Sequence, residues 1–310
     1  MPEITFEETN YTLLTSDLTD TCDLIPTLIW HEINLGATWR FVFRAAVEET
    51  DMLVGVDGDT ICVPYLDRDE FTARTITEAV LESSGYVKDK LSPNTITITI
   101  GDIVYVATRI SDVVMEDSPS LGWVQASLQK MGQAIALKID TDIRDALRVA
   151  CTVVGGNVVG AATAGLLQYE DVVDAVAILK NNGYWGEDGT YLLFVNASQE
   201  ADLVKDTRFT DTARYSTANI PLQGEAGKFA SCRAMVTDIT MTDSSGSTAY
   251  ALVVAPPTNK YGPAAMLAWK RHIKQETWRD NQEGRDVWLL SCRYGISVKF
   301  SDAITLISDC

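Results

Sequence analysis

Residues 119–152 read PSLGWVQASLQKMGQAIALKIDTDIRDALRVACT. Val124, Leu128, Met131, Ile135, Ile139, Ile143 and Leu147 recur every three or four positions, the spacing that lines one face of an α-helix. Glu116, Asp117 and Ser118 stand ahead of Pro119, so anionic and capping groups precede a residue suited to a first helical turn. Lys138 with Asp142, and Asp140 with Arg144, are spaced for pairing one turn apart, and Arg148 favours the C-terminal end. Gly122 and Gly132 weaken the pattern without erasing it. At about 1.5 Å per residue the helix is ~50 Å long, nearly three times the ordinary mean. A helix of that length is a spine, not one layer of a small compact ball.

Upstream, Thr95-Ile96-Thr97-Ile98-Thr99-Ile100 alternates with strict period two, so every Ile takes one face of a strand and every Thr the other. The pattern resumes over 103–108 after Gly101-Asp102. Strands near 60–66 and 95–108 bracket a charge-rich excursion, 67–93, with a short helix near Thr77–Glu82. A hairpin arm of this kind is marginal alone and needs a partner surface. Met52 to Val56 reads as a further short strand before the Asp57-Gly58 turn, and 21–45 reads mainly as helix. Downstream come a helix over 170–181, a strand over 191–195 and a helix over 199–205 capped by Ser198. After polar residues 207–223, strands follow near 229–240, 249–255, 266–278, 287–300 and 303–308, with Asp280 to Gly284 as a hairpin signal.

The chain has 43 acidic and 25 basic side chains, a net charge of −18 and a pI near 4.4. That balance weighs against a general nucleic-acid binder, which needs a basic footprint, and against a polybasic membrane-surface protein. Residues 1–155 carry 25 acids and 11 bases, and no Lys or Arg precedes Arg40. The N-terminus reads as an acidic arm. The first thirty residues lack the basic and apolar regions of a secretory signal. The longest uncharged run, 149–169, holds four glycines and reads as buried loop and strand, not as a membrane span.

Sites for chemistry are not evident. His31 and His272 are the only histidines, and no cysteine or histidine pair has metal-ligand spacing. The six cysteines read as buried free thiols, with Cys310 the one expected at the surface. Gly224 to Phe229 ends like a phosphate loop, but Leu222 stands at the first glycine position and Phe229 replaces the Mg²⁺-binding hydroxyl residue. Asp57-Gly58-Asp59 and Asp243 to Gly246 read as hairpin turns, not calcium loops. Neither H-E-x-x-H nor G-x-S-x-G occurs. No catalytic, cofactor or metal residue is assigned. Lys270, Arg271, Lys274, Arg279 and Arg285 form a dense basic region, suited to acidic arms of neighbouring copies, to DNA phosphates, or simply to solvent.

The order of these elements resembles the major capsid proteins of tailed bacteriophages and related archaeal viruses, with the Hong Kong 97 capsid fold. The resemblance rests on GDTICVP at 58–64 with TITITIGDIVYVA at 95–107, and on LQKMGQAIALKIDTDI at 128–143. It continues through GTYLLFVNAS at 189–198 with IPLQGEAGKF at 220–229, then WKRHIKQETWRD at 269–280 with RYGISVKFSDAI at 293–304. It implies an α+β chain with an N-terminal arm and helix (1–56) and an E-loop hairpin (57–108). A peripheral domain with the spine helix (109–154), an axial domain (155–267) and peripheral return strands (268–310) complete it.

The function so implied is self-assembly as hexamers and pentamers into an icosahedral shell around double-stranded DNA held without sequence-specific contacts. Assembly in the host cytoplasm, a separate scaffolding protein, a portal, and no membrane or cofactor belong to the same picture. Candidate inter-subunit contacts are Glu7, Glu8, Asp17, Arg68, Glu70, Arg74, Lys88, Lys90, Lys270, Arg271, Lys274, Arg279 and Arg285. An encapsulin-like nanocompartment is the alternative of the same shape, and an α/β enzyme with an unrecognised carboxylate site is the alternative of another class. Within the capsid reading the acidity gains a sense, because an acidic lining repels packed DNA and avoids sticking to it.

Overall fold

The computed structural model describes residues 41–65, 73–77, 86, 93–112, 122–154, 157–185, 190–206, 228–229, 231–242, 246, 248–256, 262–281 and 284–310, leaving aside isolated positions between them. The described residues fall into two compact units. One comprises Phe41, 103–141 and 273–292; the other comprises 42–102, 142–272 and 293–310.

The spine is helix α1, Gly122–Val154, 33 residues without a break. Leu128, Met131, Ile135, Ala136, Ile139, Ile143, Leu147 and Cys151 are buried along it, the stripe set by the three-and-four spacing. Gly132 is buried within the helix, and the helix continues through it.

The smaller unit carries strand β4 (Val104–Ser111) paired antiparallel with the first half of β11 (Arg285–Val298). Strand β10 (Ala265–Asp280) continues into this unit, while its first residues and strand β1 (Val47–Thr50) belong to the larger unit. β1 runs parallel to β10, with Val47 opposite Ala265 and Thr50 opposite Ala268.

In the larger unit, β2 (Thr60–Tyr65) and β3 (Asn94–Thr99) form a two-stranded antiparallel sheet with Thr60 opposite Thr99. The alternation reads out as expected: Ile96, Ile98 and Ile100 are buried, and the intervening threonines are exposed. Leu53, Met266 and Ala268 cover the isoleucines, each fully buried side chain contributing roughly 1.5–3 kcal/mol.

The second core of this unit lies in a six-stranded sheet ordered β5, β12, β9, β6, β8, β7. These strands are Val158–Gly160, Ile304–Ser308, Tyr250–Val254, Tyr191–Asn196, Cys232–Thr237 and Lys228–Phe229 respectively. Helices α2 (Tyr169–Asn181) and α3 (Ala197–Lys205) add Val172, Ala175, Val176, Leu179 and Leu203 to its core. The sheet's central strand β6 is buried on both faces; Leu193 joins that core, and Phe194 stacks on Phe43 with centroids 4.5 Å apart.

Several expectations change. Residues 52–55 form turns, not a strand: Gly55 adopts φ +74, a left-handed conformation that glycine reaches without a Cβ clash, and the charged segment 47–50 makes the strand instead. The 95–108 pattern splits at Gly101, so β4 leaves the hairpin and pairs with β11. The cap of α3 is Asn196, whose side chain accepts from Gln199 N at 2.8 Å while Gln199 Oε1 accepts from Asn196 N at 3.0 Å, a reciprocal capping box. Cys310 is buried, not exposed. The expected 21–45 helix lies outside the described residues except at its end, where Phe43–Ala46 is a 3-10 turn. The expected helix near 77–82, apart from Thr77, which is not helical, and the turn at 224–227 also lie outside them.

Candidate functional site

The sequence places the basic candidates on the two long strands β10 and β11, and the structure shows where their charges go. Lys270 Nζ donates to the carbonyls of Val56 and Gly58, the latter at 2.8 Å. Lys274 pairs with Glu276 at 2.8 Å. Arg279 grips both oxygens of Asp112, at 2.6 and 3.2 Å, and reaches Asp286 at 3.3 Å. Hydrogen bonding to the Asp112 carboxylate raises the Arg279 pKa above its usual value. Arg271 is half-buried, and Arg74 is exposed. Glu7, Glu8, Asp17, Arg68, Glu70, Lys88 and Lys90 lie outside the described residues.

Arg285 has a different setting. It lines an open cavity of about 450 Å³ together with Ala107, Thr108, Arg109, Asp280 and Val287. Strand register builds this cavity: Val287 is opposite Arg109 and Arg285 opposite Ser111, so the two arginines are diagonal neighbours on one face of the ladder. Arg109 stands alone in the sequence, without a basic neighbour to mark it, and only the pairing of β4 with β11 brings it beside Arg285.

The base of the β2–β3 hairpin is fixed to β11. Gly101 N donates to Tyr294 O at 3.0 Å, and Arg293 reaches Gly101 O at 3.2 Å and Asp59 at 3.5 Å. Tyr294 OH donates to Asp142 of α1 at 2.7 Å. The segment 44–51 is held on β10 in the same manner: Arg44 pairs with Glu49, Trp269 Nε1 donates to Glu49 at 3.1 Å, and His272 meets Asp51 at 3.1 Å. These contacts are structural fasteners, not an acid–base constellation.

Among the described residues no group of three or more His, Cys, Asp or Glu is arranged to hold a metal ion, and no helix is long and apolar enough to cross a membrane. Burial pushes the Cys151, Cys232 and Cys310 thiols up to about 12, which suppresses the thiolate that nucleophilic chemistry requires.

The sequence profile of a phage capsid protein family matches residues 94–307, a span that begins at β3 and ends in β12. The chain belongs to the phage capsid protein family. This capsid protein is accordingly a structural protein, a major capsid protein of the icosahedral virion shell, and not an enzyme. Solved structures share the fold. The chain is similar to a chain of Mycobacterium phage Che8 with TM-score 0.62 and 17% identity, over 86% of this chain and 91% of that one. It is similar to the capsid of cyanophage P-SCSP1u with TM-score 0.67 and 14% identity, over 86% and 87%. It is also similar to a virus-like particle from Pyrococcus furiosus with TM-score 0.51 and 12% identity, over 89% and 96%. No curated protein matches it in sequence.

Proposed function

We propose that this capsid protein assembles as hexamers and pentamers into a shell around double-stranded DNA, without sequence-specific contacts to that DNA. The observation that carries the proposal is the family match over 94–307, joined to a two-stranded β2–β3 sheet that has no third strand among the described residues. In this reading 1–56 is the N-terminal arm and 57–108 the E-loop hairpin. The peripheral domain is 109–154 with 268–310, and 155–267 is the axial domain. A separate scaffolding protein and a portal complete the assembly. The candidate contacts from Glu7 to Arg285 act between copies.

The test is negative-stain microscopy with sedimentation of the expressed protein, alone and with its scaffold. Deleting residues 1–20, or shortening 67–93 to a tight turn, is expected to leave soluble subunits that fail to close shells of wild-type size. Closed wild-type-sized shells from either deletion would overturn the roles given to those segments, and a discrete monomer from the full chain with scaffold would overturn the shell itself.

A further inference from the structure

Alternation along β9 sends Ala251 and Val253 into the core shared with α2 and α3, so Tyr250 and Leu252 take the other face of the sheet. Tyr250 is 2% exposed, and its hydroxyl is buried with no hydrogen-bond partner among the described residues. The C-terminal half of α1 comes close to it. Arg144 donates to Thr240 O, and Tyr250 N donates to Met241 O at 3.0 Å, so helix and strand meet at successive residues of one segment. Burial raises the Tyr250 pKa while the charges of Arg144 and Arg148 pull it down, which places both guanidinium groups within electrostatic reach of the hydroxyl. The two arginines differ in their partners. Arg144 is matched, its Nε and Nη2 donating to Asp145 Oδ1 at 3.1 and 2.8 Å. Arg148, one turn further along the helix, is half-buried; its Nε is buried, and it makes no hydrogen bond or ion pair among the described residues.

Two buried donors, the Tyr250 hydroxyl and Arg148 Nε, therefore lack an acceptor, and one positive charge beside them lacks a counter-charge. A guanidinium group keeps its proton and accepts nothing, so the group that completes the pair is an acceptor. Desolvating an unmatched charge is costly, which favours an acceptor that is itself negative; a bridging water supplies the acceptor without the charge. We propose that Tyr250 and Arg148 form a binding site for one small monovalent anion of the halide class, seated between α1 and β9. The single unmatched charge sets the valence. The packing around Tyr250 and Leu252, 2% and 0% exposed, favours a single-atom anion over a bulky one, and the half-exposed side of Arg148 gives it a way in. A chain at −18 repels anions in general, so binding depends on these two donors and is separable from bulk salt effects.

The test follows the chlorine NMR line width and the thermal unfolding midpoint of the full chain as chloride replaces gluconate at constant ionic strength. The wild type is expected to show saturable broadening, with a midpoint that rises along the same binding curve. Tyr250→Phe and Arg148→Met each remove one donor with little change of shape. Each is expected to weaken the fitted chloride affinity at least about tenfold, the effect of losing one hydrogen bond to a charged group. Lys205→Met, at an exposed lysine of α3, is the control and leaves the curve unchanged. Unchanged chloride affinity in either folded variant overturns the site. Where a variant fails to fold by circular dichroism, the wild type still decides: line width and midpoint that never saturate overturn the site and leave the two donors to water or to a carboxylate of the chain. The site lies within one copy, so its failure leaves the shell reading standing, and a failure to form shells leaves this measurement unaffected.

Discussion

Gly295 in β11 is the position where a single methyl group should do most damage. A Cβ there would lie 2.4 Å from the Thr99 carbonyl oxygen, 3.0 Å from its carbon and 3.2 Å from Ile100 Cα, all backbone atoms. They cannot move aside cheaply. Thr99 is paired with Thr60, Ile100 N donates to Asp59 O at 2.8 Å, and Gly101 N donates to Tyr294 O at 3.0 Å. Overpacking of this kind costs about 1–3 kcal/mol, and each backbone hydrogen bond released adds about 1. Gly295→Ala should therefore destabilise the unassembled subunit by about 3 kcal/mol. That corresponds to a fall of about 6–12 °C in unfolding midpoint for a body of roughly 150–250 residues. Gly160 supplies the control: nothing lies within 4 Å of a Cβ there, and its alanine variant should remain within about 0.5 kcal/mol of wild type. Thermal and urea unfolding of both variants, read by tryptophan fluorescence, makes the comparison. Coincident curves for Gly295→Ala and Gly160→Ala would refute the claim that close approach of β3 to β11 requires glycine.

Two further outcomes follow from buried groups. Gln199 Nε2 donates to Tyr250 O and Cys310 O, each at 3.1 Å, while its oxygen accepts from Asn196 N; Gln199→Ala orphans buried groups and should cost about 2–4 kcal/mol in urea unfolding, whereas a loss below about 0.5 would show those bonds to be dispensable. The thiols of Cys151, Cys232 and Cys310, pushed up to about 12 from 9.0 by burial, stay protonated in the folded chain while the unfolded chain releases protons. Their contribution to stability is thus full below pH 9 and is lost as pH rises from 9 toward 12, at about 1.4 kcal/mol per pH unit per thiol. In a Cys22→Ser background only the exposed Cys62 should react quickly with a thiol reagent at pH 8, and a second fast thiol would contradict the burial.

The elements legible in the sequence are those whose pattern is local. The Ile–Thr alternation of β3 and the stripe of α1 each report a face buried along one element, and period alone reveals such faces. What was not legible depends on distant pairing. The charged segment 47–50 becomes a strand because it lies parallel to 265–268, and no property of Val47-Glu48-Glu49-Thr50 announces that partner. The apolar run 52–56 looked like a strand from its side chains, yet backbone geometry at Gly55 makes it a turn that leaves three apolar residues outside. Cys310 is covered because Gln199 binds it across 111 positions of sequence. The Arg109–Arg285 cavity is a product of register, and a slip of one residue in that ladder would put the two arginines on opposite faces.

The basic region from Lys270 to Arg285 suits acidic arms of neighbouring copies. Within one copy such a meeting already takes place: Asp59 meets Arg293 and Asp112 holds Arg279. Exposed pairs of this type add little stability, with a median of about 0–1 kcal/mol, so their role is to set where the crossing strands lie. They leave the surplus intact, because the chain as a whole remains at −18 and two copies repel on approach. Repulsion of that range is screened over about 8 Å at physiological salt, whereas apolar burial is attractive only at contact. Affinity between copies must then come from contact between apolar side chains, with charge choosing among partners more than adding affinity.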